Sequence, residues 1–170
     1  SEVIRDSVLA VSGTLDRYPG GPAVPLKSNA DSSVEIDTKK QRRPTDHLRR
    51  SLYLLCRRNY QLTELIVFDQ PTVAHNCIRR DSSAVVLQSL AMLNGRFVME
   101  QSRHFATRVR SEAGPDPARR ITRAFELALG RLPTPEELQL TTRFLARQPE
   151  NSIDHLCHML LNTNEFLYVP

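Results

Sequence analysis

The sequence predicts a mainly α fold: a helical, bundle-like domain of five to seven helices with a small two-stranded β element. Three observations carry this expectation. Apolar residues recur at three- and four-residue spacing from residue 82 almost to the end. Helix-start residues such as Asp116-Pro117 and Thr134-Pro135 alternate with stops such as Asn94-Gly95, Gly114-Pro115 and Gly130. Strand-like alternation is confined to two short stretches, residues 34–36 and 50–58.

The first helix is expected over residues 2–15. Val3, Ile4, Ser7, Val8 and Val11 share a face, and Gly13 is the natural stop. Residues 17–47 break the pattern with Pro19-Gly20-Gly21-Pro22, Pro25, a polar run through Ser32-Ser33, and Pro44. Little there can be buried periodically, so a long loop of low intrinsic order is expected. Residues 50–58 (RSLYLLCRR) read as a buried strand, with Leu52, Leu54 and Cys56 on one side. Residues 62–68 give one or two helical turns, ended by Asp69-Gln70-Pro71.

Ser82 or Ser83 is expected to cap a helix carrying Val86, Leu87, Leu90, Ala91 and Leu93. Residues 96–113 follow, with Val98, Ser102, Phe105, Ala106, Val109 and Ala113 on one stripe. Asp116 caps the next helix, whose stripe is Ile121, Ala124, Phe125 and Ala128. Thr134 and Glu137 have the spacing of a capping box. The last helix begins near Ser152, carries Ile153, Leu156, Cys157, Leu160 and Leu161, and stops at residues 162–164. Residues 166–169 read as extended and able to pair with residues 52–55. Leu52, Leu54, Leu90, Phe105, Phe125, Leu145 and Leu160 are expected to share one core. The chain reads as a single domain, residues 1–170, with the long loop at about 17–47.

Composition narrows the functional classes. The net charge is +4, and twenty of the 23 basic residues are arginine. Arginine makes bidentate contacts to carboxylates and phosphates, so this usage points to internal ion pairs. No apolar run is long enough to span a bilayer, and no membrane insertion is expected. The N-terminus lacks the basic leader of a signal peptide. Cys56, Cys77 and Cys157 show no C-x-x-C spacing, which argues against a disulfide scaffold and a zinc site. No phosphate loop, dinucleotide fingerprint or nucleophile elbow is present. No cofactor and no metal site are expected.

Two clusters stand out. Residues 39–58 hold eight basic residues against Asp46 alone. A phosphate-binding stretch would look like this, but no nucleic-acid motif accompanies the charge. Nucleic acid is therefore the disfavoured partner, and arginines paired with carboxylates elsewhere are the favoured reading. The second cluster surrounds Asp69, His75, Cys77, Arg79 and Arg80. Arginines just before a helix N-terminus oppose its dipole, so carboxylate partners are expected for at least one of them, with Asp69 and Glu165 as candidates.

Several strings then occur together and in order: IRDSVLAVSGTLDRYPGGPAV, RRSLYLLCRRN, FDQPTVAHNCIRRDSSAVVLQSLAMLN, AFELALGRLPTPEEL and LLNTNEFLYV. Over residues 2–169 the chain resembles the C-terminal part of the planctomycete-specific domain of unknown function 1553. The resemblance implies a pattern of Phe68-Asp69-x-Pro71, Cys77, Arg80, Gln88, Leu93-Asn94, Gly130-Arg131-x-Pro133 and Asn164-Glu165-Phe166. Ser82-Ser83-Ala84-Val85 departs from it, standing where a threonine-rich stretch ending in proline is usual. The resemblance also implies a large exported or envelope-associated parent protein, and partners among its other domains, including a cytochrome-c-like one. The start at Ser1 reads as mid-domain, hence a fragment.

The functional expectation is a structural or binding module of that larger protein rather than a self-contained enzyme. Its candidate binding residues are Asp69, Cys77, Arg79, Arg80, Gln88 and Asn94, with no catalytic residue. The alternatives are an accessory part of an enzyme or electron-transfer protein completed by missing N-terminal regions, and weak nucleic-acid binding through residues 39–58.

Overall fold

The computed structural model describes residues 1–57, 60–71, 86–147 and 151–168. The chain divides into two compact units. The first comprises Ser1–Leu9 and Leu15–Ala91, the second Ala10–Thr14 and Met92–Pro170.

The first unit opens on helix α1 (Glu2–Ser12), which crosses into the second. Arg5, Val8 and Leu9, at i, i+3 and i+4, are its buried residues here. Gly13 ends it at φ +80°, a value that costs glycine nothing. Within the expected loop lies an antiparallel hairpin, β1 (Leu26–Ser28) and β2 (Val34–Ile36), in the register Leu26 to Ile36. Its turn has local causes. The Asp31 carboxylate accepts from the backbone N–H and hydroxyl of Ser33, at 3.0 and 2.6 Å, and Ser32 takes φ +67°. Val24, Leu26 and Val34 are buried with Leu54, Leu62 and Leu65 in one core. The stretch expected to be loosely ordered thus supplies half of that cluster.

Of the strand expected over residues 50–58, the described residues 50–57 form none. Ser51–Tyr53 make a single 3-10 turn, after which Leu54 forms an isolated bridge to Val24. The turn replaces alternation, so Leu54 is buried while Leu52 is 59% exposed. Helix α2 (Thr63–Val67) follows, and α3 (Val86–Asn94) closes this part of the chain.

The second unit is helical: α4 (Arg96–Ala113), α5 (Pro117–Leu129), α6 (Pro135–Arg147), α7 (Ser152–Leu161) and α8 (Asn164–Leu167). Helix α4 packs on α5 and α7, and α5 also on α6 and α7. Phe105, Val109, Ile121, Phe125, Leu156 and Leu160 are buried there. Asp116 accepts from the Ala118 N–H at 3.1 Å, and Gly130 takes the left-handed conformation at the end of α5. The Thr134–Glu137 capping box forms in both directions, at 3.2 and 2.7 Å.

Two corrections to the expected fold follow. Among the described residues there are eight helices, not five to seven. The overlooked one is α8. Asn162 to Asn164 read as a stop, but the Thr163 hydroxyl accepts from the Phe166 N–H at 3.3 Å and starts another turn. Residues 164–167 are therefore helical rather than extended, and the two-stranded element is the 26–36 hairpin instead. The expected common core also dissolves. Leu54 belongs to the first unit, Phe105, Phe125 and Leu160 to the second, Leu145 is half-buried, and Leu52 and Leu90 are exposed.

Candidate functional site

Asp69 and Gln88 meet in the first unit. The Gln88 amide donates from Nε2 to Asp69 Oδ2 at 3.1 Å, and Gln88 is buried. The position of Asp69 is set by how α2 ends. Its N–H donates to Ile66 O at 3.1 Å and that of Gln70 to Leu65 O at 3.0 Å, with Asp69 at φ +59°. These two bonds and the left-handed residue make a Schellman cap, and Pro71 follows where the helix cannot continue. Aspartate is one of the few residues other than glycine that tolerates this conformation. Phe68-Asp69-x-Pro71 is thus a helix terminator that also aims a carboxylate at α3. Asn94 is exposed at the end of α3 and belongs to the second unit. Cys77, Arg79 and Arg80 lie outside the described residues.

The first unit holds a cavity of about 450 Å³. Leu26, Leu54, Leu62 and Leu65 line it from the core, and Val3 and Leu52 stand exposed beside it. Its polar lining comes from Glu2, Ser51, Gln61 and Gln70, with the exposed thiol of Cys56. Gln61 donates from Nε2 to Pro71 O at 3.1 Å and lies 3.7 Å from Cys56 Sγ. Among the described residues nominated by sequence, Asp69, Gln88 and Asn94, none lines this cavity. It is assembled by backbone folding over a span of about seventy residues, which no local pattern reveals.

Sequence reasoning also missed two buried arginines. Arg5 donates from Nη1 to Arg49 O at 2.9 Å and from Nη2 to His47 O at 2.7 Å. Arg49, 2% exposed, donates to Gly20 O and to Pro22 O at 3.3 Å, and its guanidinium stacks 4.0 Å from the Tyr53 ring centre. The Pro19-Gly20-Gly21-Pro22 turn is therefore wrapped around a cation. The signal was available for Arg5, which falls four residues before Leu9 on the buried face of α1.

Three more residues of the basic stretch have partners. Arg43 stacks on Tyr18 at 4.1 Å and lies 3.0 Å from Asp16, Arg50 lies 3.4 Å from Asp6, and Lys40 lies 3.7 Å from Asp37. These pairs spend on the fold itself the charge that a phosphate backbone would need.

In the second unit, Arg131 joins two of the strings quoted above. It donates to Glu137 from Nη1 and Nη2, both at 2.8 Å, and to Glu165 from Nε at 2.6 Å and Nη2 at 2.8 Å. One planar fork thus holds two carboxylates, a geometry ammonium cannot reproduce. It holds the Glu137 carboxyl down at about 2, with the Thr134 N–H helping, and lowers that of Glu165. Glu165, a suggested partner for Arg79 or Arg80, is bound by Arg131. Burial pushes the Cys157 thiol well above its ordinary range, which keeps it protonated and inert. Among the described residues, no group of three or more His, Cys, Asp or Glu side chains could hold a metal ion, and no helix is long and apolar enough to cross a membrane.

The family model described as protein of unknown function (DUF1553) matches residues 1–145. The chain belongs to the DUF1553 family. No curated protein and no solved structure matches it. The DUF1553 match takes in the hairpin, the cavity, the Schellman cap and the Arg131–Glu137 pair, and stops short of Glu165.

Proposed function

We propose that this DUF1553 domain is a structural or binding module of a larger protein, docking other domains of its parent rather than turning over a substrate. The observation that carries this reading is the inverted face of α3 in the first unit. Gln88 is buried, while Val86, Leu87 and Leu90 point outward, Val86 at 76% exposure. Burying an amide and exposing three large aliphatic side chains on one helix is unfavourable for an isolated domain, and it suits one that is covered by another. The proposal extends, from the resemblance alone, to an exported or envelope-associated parent and to a cytochrome-c-like region among the docked domains.

The described residues nominated for the accessory-enzyme reading give it no support, and Cys77, Arg79 and Arg80 lie outside them. Asp69 and Gln88 meet each other beside the end of α2, and Asn94 belongs to the second unit. The basic stretch gives nucleic-acid binding little support, because Arg43, Arg49 and Arg50 are paired or stacked within the fold.

The test is capture of the remaining parent domains by the immobilised chain. Retention is expected with wild type, largely insensitive to salt because the contact is apolar. The triple substitution Val86→Ser, Leu87→Ser, Leu90→Ser should abolish it without changing the circular-dichroism spectrum. Equal capture by wild type and the triple variant would refute docking through α3.

A further inference from the structure

We infer that helix α6 is a self-association surface: two copies of this chain meet antiparallel along it, about a two-fold axis at Leu140. The contact is separate from docking through α3 and uses different residues. Helix α6 packs inward through buried Thr141, with Leu138 and Leu145 half-buried beside it. Its outward stripe is Glu136, Leu140, Arg143 and Arg147. At 100° per residue these four fall within about 60° of one another, on the side opposite Leu138 and Leu145. All four are exposed, and Leu140, in the middle of the stripe, is 65% exposed.

The order of charge along the stripe selects the occupant. The neighbours of Glu136 further along α6, three and four residues on, are Gln139 and Leu140. Those of Arg143 on either side are Gln139, Leu140, Ala146 and Arg147. Neither charge therefore meets an opposite one on its own helix. Asp154 on α7 and Glu165 on α8 are held by Arg110 and Arg131. A second α6 laid antiparallel, Leu140 against Leu140, supplies both missing partners. Glu136 stands four residues before the axis and Arg143 three residues after it. Each Glu136 thus comes level with the other copy's Arg143 to within about 1.5 Å along the helices. The pair is made twice, as an isologous contact requires. A parallel, in-register arrangement would set carboxylate on carboxylate and arginine on arginine, which is unfavourable. Antiparallel helices also oppose their dipoles favourably. Between the two ion pairs, Leu140 packs on its counterpart and leaves water. One helix of 13 residues buries less than the roughly 1,200–2,000 Å² of a stable interface, so the dimer is a weak one.

Sedimentation equilibrium of the full chain, from about 10 μM to about 1 mM, tests the contact. The weight-average mass should rise with concentration from 19.3 kDa toward twice that value, and rise less in high salt. Glu136→Arg brings arginine to arginine, and Arg143→Glu brings carboxylate to carboxylate, so each variant alone should stay a monomer. Mixed one to one, the two variants should associate, because both cross-pairs then join opposite charges. Circular dichroism checks that each variant keeps its helices. Where a reversal disturbs the fold, Glu136→Gln and Arg143→Gln replace it. Each of these removes both symmetric pairs and should weaken association about fivefold. Wild type that stays monomeric at the highest concentration, reversal or glutamine variants that associate as wild type does, or a mixture that stays monomeric would each overturn the inference.

Discussion

Arg49 sits where water cannot solvate it, and its charge is met by carbonyl dipoles and a Tyr53 ring in place of a close carboxylate. The nearest acid, Asp46, is 4.0 Å away. A planar, weakly hydrated guanidinium can be held this way, whereas a compact ammonium cannot. Arg49→Lys should therefore cost about 2 kcal/mol, the scale of hydrogen bonds to a charged group lost in a buried place. Urea denaturation measures it, and a loss under about 0.5 kcal/mol would show that the turn at Gly20 does not depend on the fork. Asp69 offers a second separation of causes. Asp69→Asn keeps both the tolerance of positive φ and an acceptor for Gln88, Asp69→Gly keeps only the conformation, and Asp69→Ala keeps neither. Stability should fall in that order, with alanine about 1 kcal/mol below glycine. Alanine equal to glycine would mean that the left-handed residue is not what ends α2.

At the scale of elements, α6 begins with two devices that share one carboxylate: Glu137 closes the capping box and grips Arg131. Its folded-state value of about 2 lies below the ordinary 4.5. A carboxyl depressed on folding contributes stability that is fully present above about 4.5 and is lost as pH falls toward 2. Glu165, also lowered, acts in the same direction. The melting temperature of the wild-type chain should thus drop between pH 4.5 and 2, and Arg131→Lys should flatten that drop. Equal slopes in the two proteins would remove Arg131 as the cause. All three side chains are about a third exposed or more, so the effect should shrink in high salt.

Over the whole molecule, what could be read in the sequence follows the range of the forces. The helices from α4 to α7 were legible because their caps and stripes are written within four or five residues. Even α8 carried a signal, the Thr163 hydroxyl three residues before Phe166, hidden by the asparagines on either side. The first unit was largely illegible. Its backbone is tied by Arg5 and Arg49 across tens of residues, and its cavity and hairpin exist only once those ties are made. The nominated site fared in the same way. Asp69 and Gln88 were nominated but not as a pair, and the cavity of the first unit was not foreseen, since it is built from leucines that any core would contain. The shared core of the hairpin and of residues 54–65 carries a further expectation. Lys39, Lys40 and Arg42 are exposed, so brief trypsin treatment should nick the chain there. The two pieces should stay together on a sizing column and part only in denaturant, because each holds half of one apolar cluster. Prompt separation in native buffer would show that this core does not bind the pieces.

The same long ties have a consequence for synthesis on the ribosome. Arg5 is made more than forty residues before its acceptors at His47 and Arg49, and the hairpin buries Leu26 and Val34 against Leu54, Leu62 and Leu65. At about 5–20 residues per second, roughly 3–12 s pass between the translation of Arg5 and that of Leu65. During that wait the nascent segment has no completed core. Its hairpin strands and the apolar face of α1 remain open to a holdase, or to the same segment on a neighbouring chain of the polysome.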